Sequence, residues 1–518
     1  MENNIEKHGG QDIHLNIKLI DDYSVTTNYL GLSQVGLTRI NNNMDNITHY
    51  PNQEQEPFKT NLINWLYKGF HFTNNNLLLG NGASELLDLL IRAIRYDKDM
   101  FIYQSKTWKP GSSTVQYVEY ERSCNNCYYE KKDNECFDTD ITCIINPCNP
   151  TGEYKNIDDL KTYIKKYCRP NSIVIVDESM QLWVGENFRN DSMLSQYEWI
   201  HKLYDESKIM IFIIHSWTKF FCCTGIRVGS IICSNELYYN LLKKYMTPWS
   251  CNILALQYLD GCINDTDYLY KTWNTTRQLR GNIVDKISTL YPMWNIYGED
   301  FLSWIWIDTH SNDFAKLIYN MCKLNGVPIR LGLDGYKLPS YIRIAVRSED
   351  SNQVLFKILE EVRIFNDFKH SYIQLPKDLI VKQDLIDIDD ILCHENIIEE
   401  RANALYEYIK SLENTIIIPS IILDYKTNTL IDGHHRLFVL KKLNYKRIYC
   451  LFINYTHPSI IVNPNNDTIS RDDVIQAGIS KKYLLPKSTQ HMITDLKNNT
   501  YPIVVLSNLI YYSTLQTN

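Results

Sequence analysis

Ser216-Trp217-Thr218-Lys219, followed by Gly225-Ile226-Arg227-Val228-Gly229, decides how this chain of 518 residues is read. The stretch directly follows the apolar run Ile209–Ile214, which places the lysine at the end of an expected strand. Hydroxyls stand three and one residues before Lys219, and a guanidinium stands eight residues after it. That arrangement suits a phosphorylated aldehyde. The amine can form a Schiff base, while the hydroxyls and the guanidinium hold the phosphate. A lysine in such a place is otherwise an ordinary surface residue, and this segment alone does not separate the two readings.

Three further segments point the same way. Asn146-Pro147-Cys148-Asn149-Pro150-Thr151-Gly152 follows the apolar run Ile141–Ile145, and Asp177-Glu178 follows Ile173–Val176. Gly80-Asn81-Gly82-Ala83-Ser84-Glu85 opens Ser84–Arg95, where Leu86, Leu87, Leu90 and Ile94 recur at helical spacing. The short apolar runs lack alternation, as expected of strands covered on both faces. Strands alternating with helices predict an α/β unit with a mainly parallel sheet. A carboxylate at a strand end can hold a proton on a pyridine nitrogen and so make the ring an electron sink. A glycine turn at a helix start gathers backbone N–H groups and the helix dipole around an anion. All four segments fall where α/β sheets place their ligands.

In combination and order, these motifs resemble the class I/II aminotransferases of pyridoxal phosphate (PLP) fold type I, over about the first 365 residues. The resemblance implies a large α/β domain with a mainly parallel sheet and a small α+β domain. It implies that Lys219 carries the pyridoxal 5'-phosphate, that Asp177 pairs with the pyridinium and that Asn149 bonds the ring oxygen. Ala83, Ser84, Ser216 and Arg227 would hold the phosphate, and Trp108 would stack on the ring. Tyr50, in His49-Tyr50-Pro51, would reach the cofactor of a neighbouring subunit, so a homodimer is expected. The sequence departs from the family where a tyrosine often follows the aspartate by three residues: here it is Met180, which cannot donate a hydrogen bond. Arg343, in Tyr341–Arg347, stands where the family places its carboxylate clamp, and Arg330 offers a second guanidinium thirteen residues earlier. Two guanidiniums would suit a small amino-acid substrate carrying both carboxylate and phosphate. With the missing tyrosine, the pattern is closer to threonine-phosphate decarboxylases than to histidinol-phosphate aminotransferases. Transamination and decarboxylation both stay open.

A second constellation lies in residues 371–518. Ile416–Ile418 and Ile421–Leu423 are strand-like around Pro419-Ser420, where a proline suggests an edge or a bulge. Asp432-Gly433-His434-His435-Arg436 then opens the helical run Leu437–Leu443. A glycine turn at a helix start with two histidines and an arginine is again a phosphate cradle. Asp432 adds a hard oxygen ligand that suits Mg²⁺. Zinc on the paired histidines is the weaker alternative, because no further Cys/His pair sits nearby at ligand spacing. The segment resembles the free-serine kinases of the ParB/sulfiredoxin-like α+β fold over about residues 370–495, with His394-Glu395 and Leu485–His491 in the expected order. By that resemblance Glu395 is the base that takes the substrate hydroxyl proton. Asp432, Gly433, His434, His435 and Arg436 serve the phosphates of ATP or ADP and the Mg²⁺, and Thr489 and His491 lie near the amino acid. A noncatalytic nucleotide-sensing module is the alternative.

Composition narrows the classes. Acidic residues number 60 against 53 basic, a formal charge of −7, and residues 371–518 hold 16 acidic against 15 basic. Neither balance suits a protein that coats nucleic acid. An apolar fraction of 44% with 22% charged residues is that of a globular chain. The start Met1–Gly10 lacks a basic segment followed by an apolar run, and no apolar run is long enough to span a bilayer. A cytoplasmic protein without membrane segments is expected, its 14 cysteines reduced. Cys124, Cys127 and Cys136 are expected to be structural thiols, since no second Cys or His pair follows at zinc-finger spacing. The expected organisation is an N-terminal arm and part of the small domain over 1–50, the PLP-binding domain over 51–250, the small domain over 251–367 and the kinase-type module over 371–518.

Overall fold

The runs without alternation form the middle of a seven-stranded sheet. Its strands are β1 (Leu77–Gly80), β2 (Thr107–Pro110), β3 (Glu130–Lys131), β4 (Ile141–Ile145), β5 (Ile173–Asp177), β6 (Met210–Ser216) and β7 (Gly229–Cys233), in the spatial order β1-β7-β6-β5-β4-β2-β3. From β6 to β3 neighbours run parallel, and β7 is antiparallel to both β6 and β1. Successive side chains point to opposite faces. Ile144, Val174, Val176, Ile211 and Ile213 therefore join one buried cluster with Leu160 and Ile164. Ile141, Cys143, Ile173, Ile175 and Phe212 join another with Leu86, Leu90 and Tyr238. Burial on both faces is why these strands carry no polar alternation. The expected strand at Ile209–Ile214 starts one residue later and continues through His215 and Ser216. Cys124 and Cys127 are buried in the second cluster.

The structure, a computed structural model, describes residues 9–10, 19–67, 71–96, 106–113, 115–410, 415–464 and 469–513. Residues 1–8 and 11–18 of the expected N-terminal arm lie outside these. A smaller antiparallel sheet follows: β8 (Asn295–Tyr297), β9 (Trp304–Asp308), β10 (Arg330–Leu331) and β11 (Tyr341–Ala345), in the order β10-β11-β9-β8. The helix Glu349–Tyr372 runs unbroken across the expected boundary between the small domain, ending at 367, and the module starting at 371. No proline or glycine interrupts it before Pro376, so nothing forces the chain to break there.

The third module is built from β12 (Ile380–Asp387), β13 (Thr415–Pro419), β14 (Ile421–Asp424), β15 (Leu430–Asp432), β16 (Arg447–Ile453), β17 (Ile460–Pro464), β18 (Thr489–Thr494), β19 (Thr500–Pro502) and β20 (Leu509–Ser513). They form sheets β12-β16-β14-β15, β17-β18-β19 and β13-β20. Pro419 marks the point where the chain leaves β13, in one sheet, for β14, in another. The module does not stand apart. Ile305, Ile318 and Leu355 share one buried cluster with Ile388, Ile418, Tyr449 and Phe452. At its rim Lys316 Nζ lies 3.2 Å from Asp384 Oδ2. Among the described residues, no helix is long and apolar enough to cross a membrane.

Candidate functional site

Strand ends β4, β5 and β6, the helix Ala83–Tyr96 and the smaller sheet converge on one cavity. Its wall includes Ala83, Ser84, Asn149, Asp177, Ser216, Lys219, Arg227, Arg330 and Arg343, all singled out in the sequence. The anion side is tightly built. Gly82 has φ +91°, and a Cβ there would come within 2.5 Å of Arg227 Nη2. A Cβ at Gly229 would come within 2.5 Å of the Ala83 nitrogen. Both glycines thus let Arg227 and the helix start close on the same space. Ser216 Oγ and Thr218 Oγ1 stand 2.9 Å apart and also line the cavity. A phosphate fits this donor set of helix start, hydroxyls and guanidinium.

Asp177 ends β5 and is buried. Its Oδ1 accepts from the Ser179 backbone N–H at 2.8 Å, and its Oδ2 accepts from the Tyr120 hydroxyl at 2.8 Å. Burial pushes its carboxyl up, against the opposing pull of Ser179, Tyr120 and His215. A protonated ring nitrogen is the partner such a carboxylate fits. Lys219 is held down at about 8, first by burial and then by the guanidiniums of Arg343, Arg227 and Arg347. That leaves a far larger share of its amine neutral and nucleophilic near neutral pH than an ordinary lysine has.

Arg343 Nη1 donates to Asn149 Oδ1 at 2.6 Å and Nη2 donates to the Ser24 carbonyl at 2.6 Å, while Nε is buried without a partner. Because the Asn149 oxygen is occupied, its amide N–H groups are the part left for a ligand. Arg330 and Arg343 are direct cross-strand partners in β10 and β11, so their side chains leave the sheet on the same face. Met180 lines the cavity and brings no hydroxyl.

Trp108 corrects the sequence expectation. It is not in the cavity wall: its ring is buried in the cluster of Leu86, Leu90 and Cys143, because strand alternation on β2 turns it into the core. Tyr117, just before the helix Glu119–Asn126, occupies the wall instead. Tyr117 and Tyr120 had no motif to mark them; only the fold brings the loop after β2 over the strand ends. Tyr50 lies outside the cavity, 80% exposed and packed on Trp249 with ring centroids 4.6 Å apart.

A second cavity gathers Glu395, Asp432, Gly433, His434, His435, Arg436, Lys487, Thr489 and His491. Gly433, at φ +113°, turns the chain from β15 into the helix His434–Lys442. Glu395 is bridged to Leu484 just ahead of β18, which brings it beside Thr489. Burial pushes the Glu395 carboxyl up, partly offset by the backbone N–H groups of Lys487 and Thr489. Asp432 is ion-paired with Arg436. His434 is held well below the usual histidine range by burial, and His491 is pushed down to about 3 by burial beside His394. The Nε2 atoms of His434 and His491 are buried without a hydrogen-bond partner. Among the described residues, no group of three or more His, Cys, Asp or Glu side chains could hold a metal ion.

With this geometry in view, the similarity to known proteins is specific. A family model, aminotransferase class I and II, matches residues 27–359. The chain belongs to the class I and II aminotransferases. Histidinol-phosphate aminotransferase 1 of Idiomarina loihiensis is 24% identical over 351 residues, 65% of this chain and 88% of that protein. The Mannheimia succiniciproducens enzyme of the same name is 23% identical over 362 residues, 68% and 92% of the two chains. Among solved structures, the histidinol-phosphate aminotransferase of Clostridium acetobutylicum has a TM-score of 0.56 at 22% identity, covering 66% of this chain and 99% of its own. L-Threonine-O-3-phosphate decarboxylase of Porphyromonas gingivalis has a TM-score of 0.54 at 19% identity, covering 66% and 98%. The aminotransferase fold thus spans about two thirds of the chain, and the family match ends at residue 359, inside the helix Glu349–Tyr372.

Proposed function

We propose that this aminotransferase-family protein binds pyridoxal 5'-phosphate and transaminates or decarboxylates a small phosphorylated amino acid. We also propose that residues 371–518 phosphorylate free serine or threonine from ATP or ADP with Mg²⁺. The observation that carries the first half is the pairing of Arg330 with Arg343 on one face beside Lys219. A substrate with a carboxylate and a phosphate engages both guanidiniums; histidinol phosphate, which lacks the carboxylate, leaves one unmatched. When bound, pyridoxal phosphate supplies an electron sink for charge developing at the substrate Cα. Ala83, Ser84, Ser216 and Arg227 would hold its phosphate. Asp177 keeps a proton on the ring nitrogen, and Asn149 donates to the ring oxygen without help from a tyrosine at position 180. Lys219 attaches the aldehyde and moves protons at the substrate Cα. Tyr50 and Trp249, exposed together, support a homodimer in which Tyr50 reaches the partner's site.

The second half rests on the convergence of Glu395, Thr489 and His491 with the Asp432–Arg436 turn in one cavity. Glu395 takes the proton of the substrate hydroxyl. Asp432 offers one hard oxygen, so a magnesium ion there would draw its remaining ligands from phosphates and water. The ion pair between Asp432 and Arg436 favours one other reading, a nucleotide sensor without transfer chemistry. Incubating the full chain with serine or threonine, nucleotide, Mg²⁺ and pyridoxal phosphate, and identifying products by mass, tests both halves. Phosphoserine or phosphothreonine, followed by loss of CO₂ or of the amino group, is expected. Turnover of histidinol phosphate with none of phosphoserine or phosphothreonine would overturn the first half. Nucleotide binding without phosphorylation of serine, threonine or a close analogue would leave the sensor.

A further inference from the structure

In the third module, connectivity assigns the hydrogens around one buried histidine. His394 is fully buried, and its Nδ1 stands 2.5 Å from the Leu430 carbonyl oxygen. A carbonyl oxygen only accepts, so Nδ1 carries the hydrogen. Burial holds the ring neutral, pushing it down to about 4. Its Nε2 is therefore a lone pair, and it lies 3.2 Å from Thr489 Oγ1. Thr489 must be the donor in that contact. The same hydroxyl oxygen is 3.5 Å from Glu395 Oε2, the outer limit of a hydrogen bond, so its single hydrogen goes to the nearer His394 Nε2. Thr489 Oγ1 and Glu395 Oε2 are then neighbouring acceptors in a cavity wall. The complement of two such acceptors is a cation with several N–H donors.

Beside them, the buried Tyr455 hydroxyl meets His491 Nδ1 at 3.1 Å. A buried hydroxyl hydrogen needs an acceptor, so Tyr455 donates and the hydrogen of His491 sits on Nε2. That nitrogen is buried without a partner, and His491 is 7% exposed in the cavity wall. An unspent N–H donor next to a pair of acceptors matches a carboxylate next to an ammonium.

We infer that His394 is a positioning residue: by taking the Thr489 hydroxyl hydrogen, it makes Thr489 and Glu395 a paired acceptor for the α-ammonium group of a free amino acid, with His491 Nε2–H set for the carboxylate. The inference rests on reading this cavity as an amino-acid site and names the contacts that recognise it. Glu395 Oε1, 3.9 Å from His434 Nδ1, is then the oxygen assigned to the substrate hydroxyl.

The test uses the full chain and follows nucleotide turnover dependent on serine, with 3-hydroxypropionate as the analogue lacking the ammonium. Thr489→Val should raise the KM for serine roughly tenfold or more, the loss expected for a hydrogen bond to a charged group, and leave the KM for nucleotide in place. Thr489→Ser should recover most of that loss. His394→Phe should raise the serine KM similarly, and the double variant should be no worse than the worse single one, because both remove one interaction. Preference for serine over 3-hydroxypropionate should narrow in each. If His394→Phe does not fold, the Thr489 pair and the serine preference decide the matter. Additive effects, or a serine preference unchanged in Thr489→Val, overturn this inference alone. Wild-type protein that binds nucleotide but responds to no amino acid overturns it together with the kinase reading.

Discussion

The amine of Lys219 gives the sharpest quantitative expectation. Burial and the guanidiniums of Arg343, Arg227 and Arg347 bring it from the ordinary 10.5 to about 8. At pH 7 about 9% of such an amine is neutral, against about 0.03% of an ordinary lysine, an advantage of roughly 300-fold in nucleophile. Protein stripped of cofactor should therefore take up pyridoxal phosphate at a rate that climbs about tenfold per pH unit and levels off near pH 8. The assay is stopped-flow absorbance of the lysine-bound aldehyde across pH 6–10 (roughly the usable range), with N-acetyl-lysine in parallel to remove the ionisations of the aldehyde itself. Arg343→Met tests the cause. Losing a nearby cation favours the protonated amine, so the midpoint should move up while staying below that of an ordinary lysine, because burial, the larger cause, persists. Substrate plays no part in uptake, so the substrate role of Arg343 does not confuse the result. A wild-type midpoint near that of the free amine, or an Arg343→Met midpoint that stays put or falls, would refute the reasoning.

Three further expectations follow from the same contacts. Tyr120→Phe removes a donor from the buried Asp177 carboxylate, which pushes that carboxyl further up; cofactor should bind more weakly by ~1.5–3 kcal/mol, read as Kd by fluorescence titration, and an unchanged Kd would dismiss the contact. Arg330→Gln should raise the KM for a phosphorylated amino acid by a charge-assisted bond's worth, ~1.5–3 kcal/mol, with little change for the unphosphorylated one; equal effects on both would mean Arg330 does not read the phosphate. Glu395→Gln keeps size and hydrogen bonding but cannot accept a proton, so phosphoserine formation should fall by about 10²–10⁴-fold while nucleotide affinity holds. In wild-type protein that rate should rise with pH as Glu395 ionises, at a pH above the usual carboxylate range because burial pushes its carboxyl up; a variant as fast as wild type would place the base elsewhere.

The sequence by itself determined the sheet and most of the first cavity. Strands buried on both faces must be continuously apolar, and ligands of such sheets collect at strand ends, so Asn149, Asp177, Ser216 and Lys219 were legible from what precedes them. Gly82 and the helix start were legible because few sequences build an anion cradle. Tertiary structure alone decided the rest. Trp108 and Tyr117 differ by nine positions in the chain, and nothing local says which ring enters the core and which the cavity; strand alternation and the return of the loop over β4 and β5 do. The donor from Tyr120 to Asp177, the cross-strand pairing of Arg330 with Arg343, and the packing of Ile305 and Ile318 with Tyr449 and Phe452 join residues far apart in sequence. Periodicity reports which side of an element is apolar; which other element covers that side is fixed only when all of them pack at once.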